Sequence, residues 1–167
     1  ASLIGKKIGL VTHPAAISGS VDPSEKRPIR SAADLLAARK EFQLVALFGP
    51  EHGITGEAQD LIPVESDSAR TRVYSLYGDS FASLKPAAEM LDDLDLLIID
   101  MQDIGSRYYT FQATMLYCLE AAAEIGLSVL ILDRPNPLGG EVEGPTLQLG
   151  FESFVGPHPI CTRHGMT

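Results

Sequence analysis

The sequence predicts an α/β domain: a doubly wound, mostly parallel sheet with helices on both faces. Three observations carry this. Short apolar runs with little polar alternation recur at Lys7 to Val11, Gln43 to Phe48, Leu96 to Ile99 and Ser128 to Leu132, the pattern of strands buried on both sides. Helix-forming segments separate them, so strand and helix alternate, and the connections should be right-handed crossovers between parallel strands. Polar residues crowd directly after the runs, above all Asp100, Gln102, Asp103, Arg107, Tyr108 and Tyr109 around Gly105. In an open α/β sheet the crevice outside the carboxyl ends of the strands is where ligands bind.

The elements follow in order. After the first strand comes Thr12-His13-Pro14, then a segment from Ser18 to Arg30 rich in Ser, Pro and charge, which reads as a surface loop. Ser31 with Asp34 three residues on is an N-cap signal, and a helix of two to three turns is expected there. Gly49 to Gly53 ends the second strand. The stretch from Ile54 to Arg72 has no helical period and reads as a long excursion, the kind of loop that is usually functional. Val73 to Tyr77 is expected as a short strand. Pro86 suits a first helical position, with Ala87 to Leu91 completing a short helix. Thr110 to Ile125 carries Phe111, Met115, Cys118, Leu119, Ala122 and Ile125 at three- and four-residue steps, an amphipathic helix that Gly126 terminates. Glu141 to Thr167 has many Gly and Pro and no long period.

Composition bounds the function. The 167 residues suit one domain with a core, and 45% hydrophobic with 21% charged residues is ordinary for a globular protein. Lys plus Arg number 13 against 22 Asp plus Glu, and the basic residues are scattered, which argues against a nucleic-acid partner or docking on an anionic membrane by charge. Cys118 and Cys161 have neither metal-ligand spacing nor the density of a disulfide scaffold. No apolar run approaches a membrane span and no leader opens the chain, so the compartment stays open.

Parallel strands collect their carboxyl ends on one rim: Thr12 and His13, Glu51 and His52, Asp100, Gln102 and Asp103, then Asp133, Arg134 and Asn136. The turn after the first strand lacks G-x-G-x-x-G, no P-loop exists, and G-x-S-x-G is absent, so no nucleotide cofactor or serine nucleophile is expected. Without His-x-His, His-Glu-x-x-His or cysteine spacing, no metal is expected either. Carboxylate acid/base chemistry fits better. Glu51, between Gly49-Pro50 and His52-Gly53, sits where partial burial could raise its pKa and let it donate a proton; capping of loop amides is the plain alternative. Asp100 could equally end its strand by binding loop amides, and Arg134 could be an anion fork or a structural partner of Asp103. Of Tyr108 and Tyr109, one is expected in the core and the other to stack on a sugar or donate its hydroxyl. His13 and His52 could each be simple loop residues.

Six motifs in order resemble one family. They are Phe48-Gly49-Pro50-Glu51-His52-Gly53, Val73-Tyr74-Ser75-Leu76-Tyr77-Gly78, the run Asp100 to Thr110, the run Leu132 to Gly140, Ser153-Phe154-Val155-Gly156 and Arg163-His164-Gly165-Met166-Thr167. Together they resemble the bacterial exo-β-N-acetylmuramidases of the NamZ type, long catalogued as a domain of unknown function. The resemblance implies a glycoside hydrolase that releases terminal N-acetylmuramic acid from the non-reducing end of peptidoglycan fragments. It implies a Rossmann-like domain over 1–167 without a nucleotide, and a cleft shared with a second, C-terminal domain. Such a substrate suits a secreted, periplasmic or envelope location. The family is roughly twice this length, so the chain is expected to be a truncated product whose turnover depends on that missing domain.

Carried over residue by residue, the resemblance makes Glu51 the best candidate for catalytic acid/base and Arg107, Tyr108 and Tyr109 cleft residues; the rim offers Glu51 a partner in His52, Tyr108 or Asp103. Thr12, Asp100, Gln102, Asp103, Asp133, Arg134 and Asn136 of the rim, with Arg107, Tyr109 and His164, are the candidate substrate-binding residues. Arg107 or Arg134 is expected to read the lactyl carboxylate, since a guanidinium fork matches a carboxylate. The acetamido group of the sugar could itself assist, leaving Glu51 the one indispensable carboxylate. A non-catalytic saccharide-binding domain and a metal-dependent hydrolase of another cell-wall bond are the competing functions.

Overall fold

A computed structural model of the chain describes residues 2–19, 28–50, 71–77 and 81–167. In chain order the elements are β1 (Lys7–Thr12), β2 (Ile17–Ser18), β3 (Arg30–Ser31), α1 (Ala32–Ala37), β4 (Gln43–Gly49), β5 (Arg72–Ser75), a 3₁₀ turn (Phe81–Leu84), α2 (Ala88–Leu91), β6 (Leu96–Asp100), α3 (Phe111–Ile125), β7 (Val129–Ile131), β8 (Glu143–Thr146) and β9 (Cys161–Arg163). Five of the strands form one sheet in the order β5-β4-β1-β6-β7, every pairing parallel. The chain winds outward from β1 to one edge, returns, and winds to the other, so the direction reverses between β1 and β6. This is the Rossmann-like doubly wound arrangement that the alternating runs predict.

Alternate residues of the central strands feed two cores. Ile8, Leu10, Leu44, Leu47, Leu96 and Ile98 pack on one face under Ala32 and Leu36 of α1. Val11, Phe48, Leu97 and Ile99 pack on the other, under Leu91 of α2 and Cys118 and Ala121 of α3. Gly9 makes the second core possible: a Cβ there would stand 2.6 Å from Leu94 Cδ1 and 3.0 Å from Phe48 Cε2. Cys118 lies wholly inside it, and burial pushes its thiol up to about 12, which makes it an inert apolar filler.

Several sequence expectations need correction. The Ser18–Arg30 loop is pinned at both ends, because Ile17–Ser18 and Arg30–Ser31 pair antiparallel. Ser31 does cap α1, its hydroxyl accepting from Asp34 N–H at 3.0 Å, but the helix is six residues long, under two turns. Its last turn tightens, Arg39 N–H bonding Leu36 O, and carries no basic residue. α2 starts at Ala88 because Ala87 is extended, leaving Pro86 outside the helix. Ile125, assigned to the buried stripe of α3, is exposed in its last turn, whereas Ala113 and Ala121 are buried. Gly126 stops α3 in the left-handed conformation, φ 70°, with Leu127 N–H bonding back to Ala122 O. β7 is an edge of the sheet, so Leu130, Ile131 and Leu132 are exposed rather than buried on both faces.

The segment after Glu141 is ordered by pairing. β8 and β9 form an antiparallel ladder, and Ser106 bridges to Arg163. No helix among the described residues is long and apolar enough to cross a membrane.

Candidate functional site

The winding reverses between β1 and β6, and the residues at their carboxyl ends are set by register. Thr12, the last residue of β1, lies opposite Asp100, the last of β6. Both are buried. β7 ends level with β6, Ile131 opposite Ile99 and Leu132 N–H bonded to Ile99 O at 2.9 Å, which brings Arg134 alongside Asp100. Its guanidinium grips the carboxylate in a fork, Nε to Oδ1 at 2.6 Å and Nη2 to Oδ2 at 3.0 Å. Asp100 is thus neither an amide cap nor a spectator, and Arg134 pairs with Asp100 rather than with Asp103. The bond to Asp100 raises the Arg134 pKa, so the fork stays charged.

His13 sits beneath this pair, buried, with its ring edge-on to Phe111 at 4.5 Å. Burial lowers its pKa; Asp100 pulls the other way and Arg134 adds to the lowering. The neutral ring accepts the Gln102 backbone N–H at Nε2, 2.8 Å away, so Nδ1 carries the proton. Gln102 in turn donates from Nε2 to Asp103 O at 2.8 Å and Pro135 O at 3.0 Å, tying the loop after β6 to the loop after β7.

Beyond Gln102 the chain turns sharply. Asp103 Oδ2 accepts from Gly105 N–H at 2.9 Å, and Gly105 takes a left-handed φ of 87°. A Cβ on Gly105 would lie 2.2 Å from Asn136 Oδ1, so only glycine permits the approach of the two loops. Asn136 accepts from Leu138 N–H at 2.9 Å and donates to Met166 O at 2.7 Å. Arg107 is 7% exposed and structural: Nη1 donates to Pro145 O at 3.0 Å and Ile160 O at 2.6 Å, and its N–H bonds Thr162 O at 2.8 Å. These bonds hold the β8–β9 ladder against the rim and deliver His164 to Asp103. His164 Nδ1 accepts from Met166 N–H at 3.1 Å, which fixes the tautomer; Nε2–H donates to Asp103 Oδ2 at 2.8 Å.

Between the rim and α3 these loops enclose a pocket of about 80 Å³. Ile99, Met101, Phe111 and Met115 contribute apolar surface, and Asp103, Asp133, Arg134, Asn136 and His164 line it as well. Five of the sequence candidates therefore converge. Others do not: Tyr108 is 61% exposed with the Arg107 guanidinium 5.6 Å from its ring centre, and Tyr109 packs on Phe111 at 4.6 Å. Neither tyrosine lines the pocket, and Arg107 lies behind it. Glu51 and His52 lie outside the described residues, as does the excursion up to residue 70; β4, which precedes them, ends beside β1 at this rim. Among the described residues no group of three His, Cys, Asp or Glu could hold a metal ion. Sequence reasoning missed Met101, Met115 and Met166 as pocket residues; their one signal was proximity to the polar run, which apolar residues share with any core.

A model of the family described as the exo-β-N-acetylmuramidase NamZ, N-terminal, matches residues 8–167. The chain belongs to this family. Within it, the peptidoglycan β-N-acetylmuramidase NamZ of Bacillus subtilis is 46% identical over 169 residues, covering 99% of this chain and 38% of that protein. Two crystal structures of DUF1343 family proteins from Bacteroides fragilis share the fold. One superposes with a TM-score of 0.82 at 40% identity over 98% of this chain and 39% of its own. The other gives 0.76 at 34% identity over 98% and 40%. The chain spans about two fifths of the length of these relatives.

Proposed function

We propose that this chain is the sheet-bearing part of a glycosidase that releases terminal N-acetylmuramic acid from the non-reducing end of peptidoglycan fragments. Glu51 is its acid/base, and a second domain beyond residue 167 completes the cleft. The observation that carries the reading is the family match over residues 8–167. The convergence of Asp103, Asp133, Arg134, Asn136 and His164 on one pocket at the carboxyl ends of β6 and β7 supports it, because an open α/β sheet binds ligands outside the carboxyl ends of its strands. Of the two arginines, Arg134 is the better reader of the lactyl carboxylate. Its side chain is 24% exposed and lines the pocket, whereas Arg107 is buried on backbone carbonyls. Binding without turnover is expected of residues 1–167 alone, since they would present one wall of the cleft.

A chromogenic N-acetylmuramic acid glycoside tests this with the full-length protein. Free N-acetylmuramic acid should be released, and Glu51→Gln should lower the rate at least about 10²-fold, the usual minimum for a lost general acid. Retention of more than about a tenth of the rate contradicts the assignment. A covalent glycosyl adduct trapped on Asp100 or Asp103 would instead establish a two-carboxylate retaining route.

A further inference from the structure

The fork between Arg134 and Asp100 occupies only one edge of the guanidinium. Asp100 holds the side edge, with Nε–H on Oδ1 at 2.6 Å and Nη2–H on Oδ2 at 3.0 Å. A guanidinium has further donors, and those left over lie on Nη1 and on the outer side of Nη2, parallel to each other along its end edge. Nη1 takes no acceptor among the described residues and is not one of their buried unpartnered atoms, and the side chain is partly exposed and lines the pocket. Asp100 is the reverse case. Its side chain is buried and both oxygens are committed, so it meets no ligand itself.

We propose that Asp100 is the positioning residue for Arg134 and holds its end edge, Nη1–H and Nη2–H, ready for the lactyl carboxylate of the terminal sugar. The inference rests on the saccharide reading above. It adds how the carboxylate is held, end-on by two parallel N–H groups, and what fixes that orientation. An untethered arginine would lose rotamer freedom on binding; the fork with a buried carboxylate removes that freedom beforehand, which is the gain of preorganisation. The surroundings make placement matter. Asp103 and Asp133 line the same pocket, so a ligand carboxylate gains only where donors already point at it.

Because Asp100 balances the charge of Arg134, selection comes from two aimed donors rather than from net attraction. Two substitutions separate these causes. Asp100→Asn keeps the volume but turns one of the two facing oxygens into an NH₂, a donor against a donor, so the fork opens and the end edge is no longer held. A site that worked by net charge would bind the carboxylate more tightly once Asp100 lost its own; a positioned one binds it less tightly. Arg134→Lys keeps the charge, but a compact ammonium drawn onto the buried carboxylate has no second edge to offer.

The test compares two N-acetylmuramic acid glycosides, one with the free lactyl carboxylate and one with that group as a primary carboxamide. Binding to the full-length protein is measured by calorimetry. The wild type should prefer the acid at least about tenfold, the gain expected of hydrogen bonds to a charged acceptor, and in Asp100→Asn and Arg134→Lys the preference should fall below about threefold. A general loosening of the rim would weaken both glycosides alike and leave their ratio unchanged. A retained or enlarged acid preference in Asp100→Asn overturns the positioning role. Equal binding of the two by the wild type overturns the inference and leaves the saccharide reading intact. Binding of neither overturns the saccharide reading, and this inference with it. If Asp100→Asn does not fold, Arg134→Lys decides, and a retained preference there overturns the inference.

Discussion

Arg134→Met should be among the most damaging substitutions on the rim, and its size follows from burial. The Asp100 side chain is 4% exposed and both its oxygens are spent on Arg134. Removing the guanidinium leaves an uncompensated buried carboxylate, a loss of about 3–5 kcal/mol, toward the lower end here because Arg134 keeps some contact with water. For a chain of this size that is a drop in Tm of roughly 6–20 °C. His13 adds a pH signature. Its pKa is lowered by burial, with Arg134 contributing and Asp100 opposing, so below pH 6.5 the unfolded chain binds more protons than the folded one. Wild-type stability therefore falls as the pH drops through 6.5 toward the folded pKa. Without Arg134 one lowering influence is gone and the pull of Asp100 remains, so the His13 pKa moves back up and that acid loss shrinks. The gap between variant and wild type should be widest at pH 7 to 8 and narrow toward pH 5. Urea unfolding across this range measures it. A loss below about 1 kcal/mol at pH 7, or a gap that does not narrow on acidification, would refute the reasoning.

Two further outcomes follow from the loops. Gly105→Ala demands a left-handed alanine whose Cβ meets Asn136, and should lose at least about 2 kcal/mol by denaturant unfolding; a loss under 1 kcal/mol would mean that the two loops separate freely. Arg107→Met removes the donor to Pro145 O and Ile160 O, so amides of β8 and β9 should exchange with solvent markedly faster than those of β1 and β6. Uniform protection across all four strands in the variant would show that the ladder does not depend on the guanidinium.

What the sequence alone determined was the sheet and its rim. The runs around Leu10, Leu47, Ile98 and Leu130 are too apolar for any place but a sheet, and the helices between them leave only parallel connections; Ser31 and Gly126 are caps whose chemistry is local. Such signals lie within a few residues of one another, so they are legible in one dimension. The family motifs likewise announced the family. What only the tertiary structure decided was partnership. That Arg134 binds Asp100 and Asp103 binds His164 depends on β7 ending level with β6 and on the β8–β9 ladder bridging to Ser106, pairings across 34 and 61 residues that no spacing encodes. The exposure of Leu130 and Ile131 was hidden for the same reason, because an edge strand and a buried one carry the same apolar side chains and differ only in what lies beside them. Arg107 shows the limit most plainly. A buried arginine on backbone carbonyls and a cleft arginine on a ligand look identical as a letter, and what separates them is whether distant carbonyls arrive to take its protons.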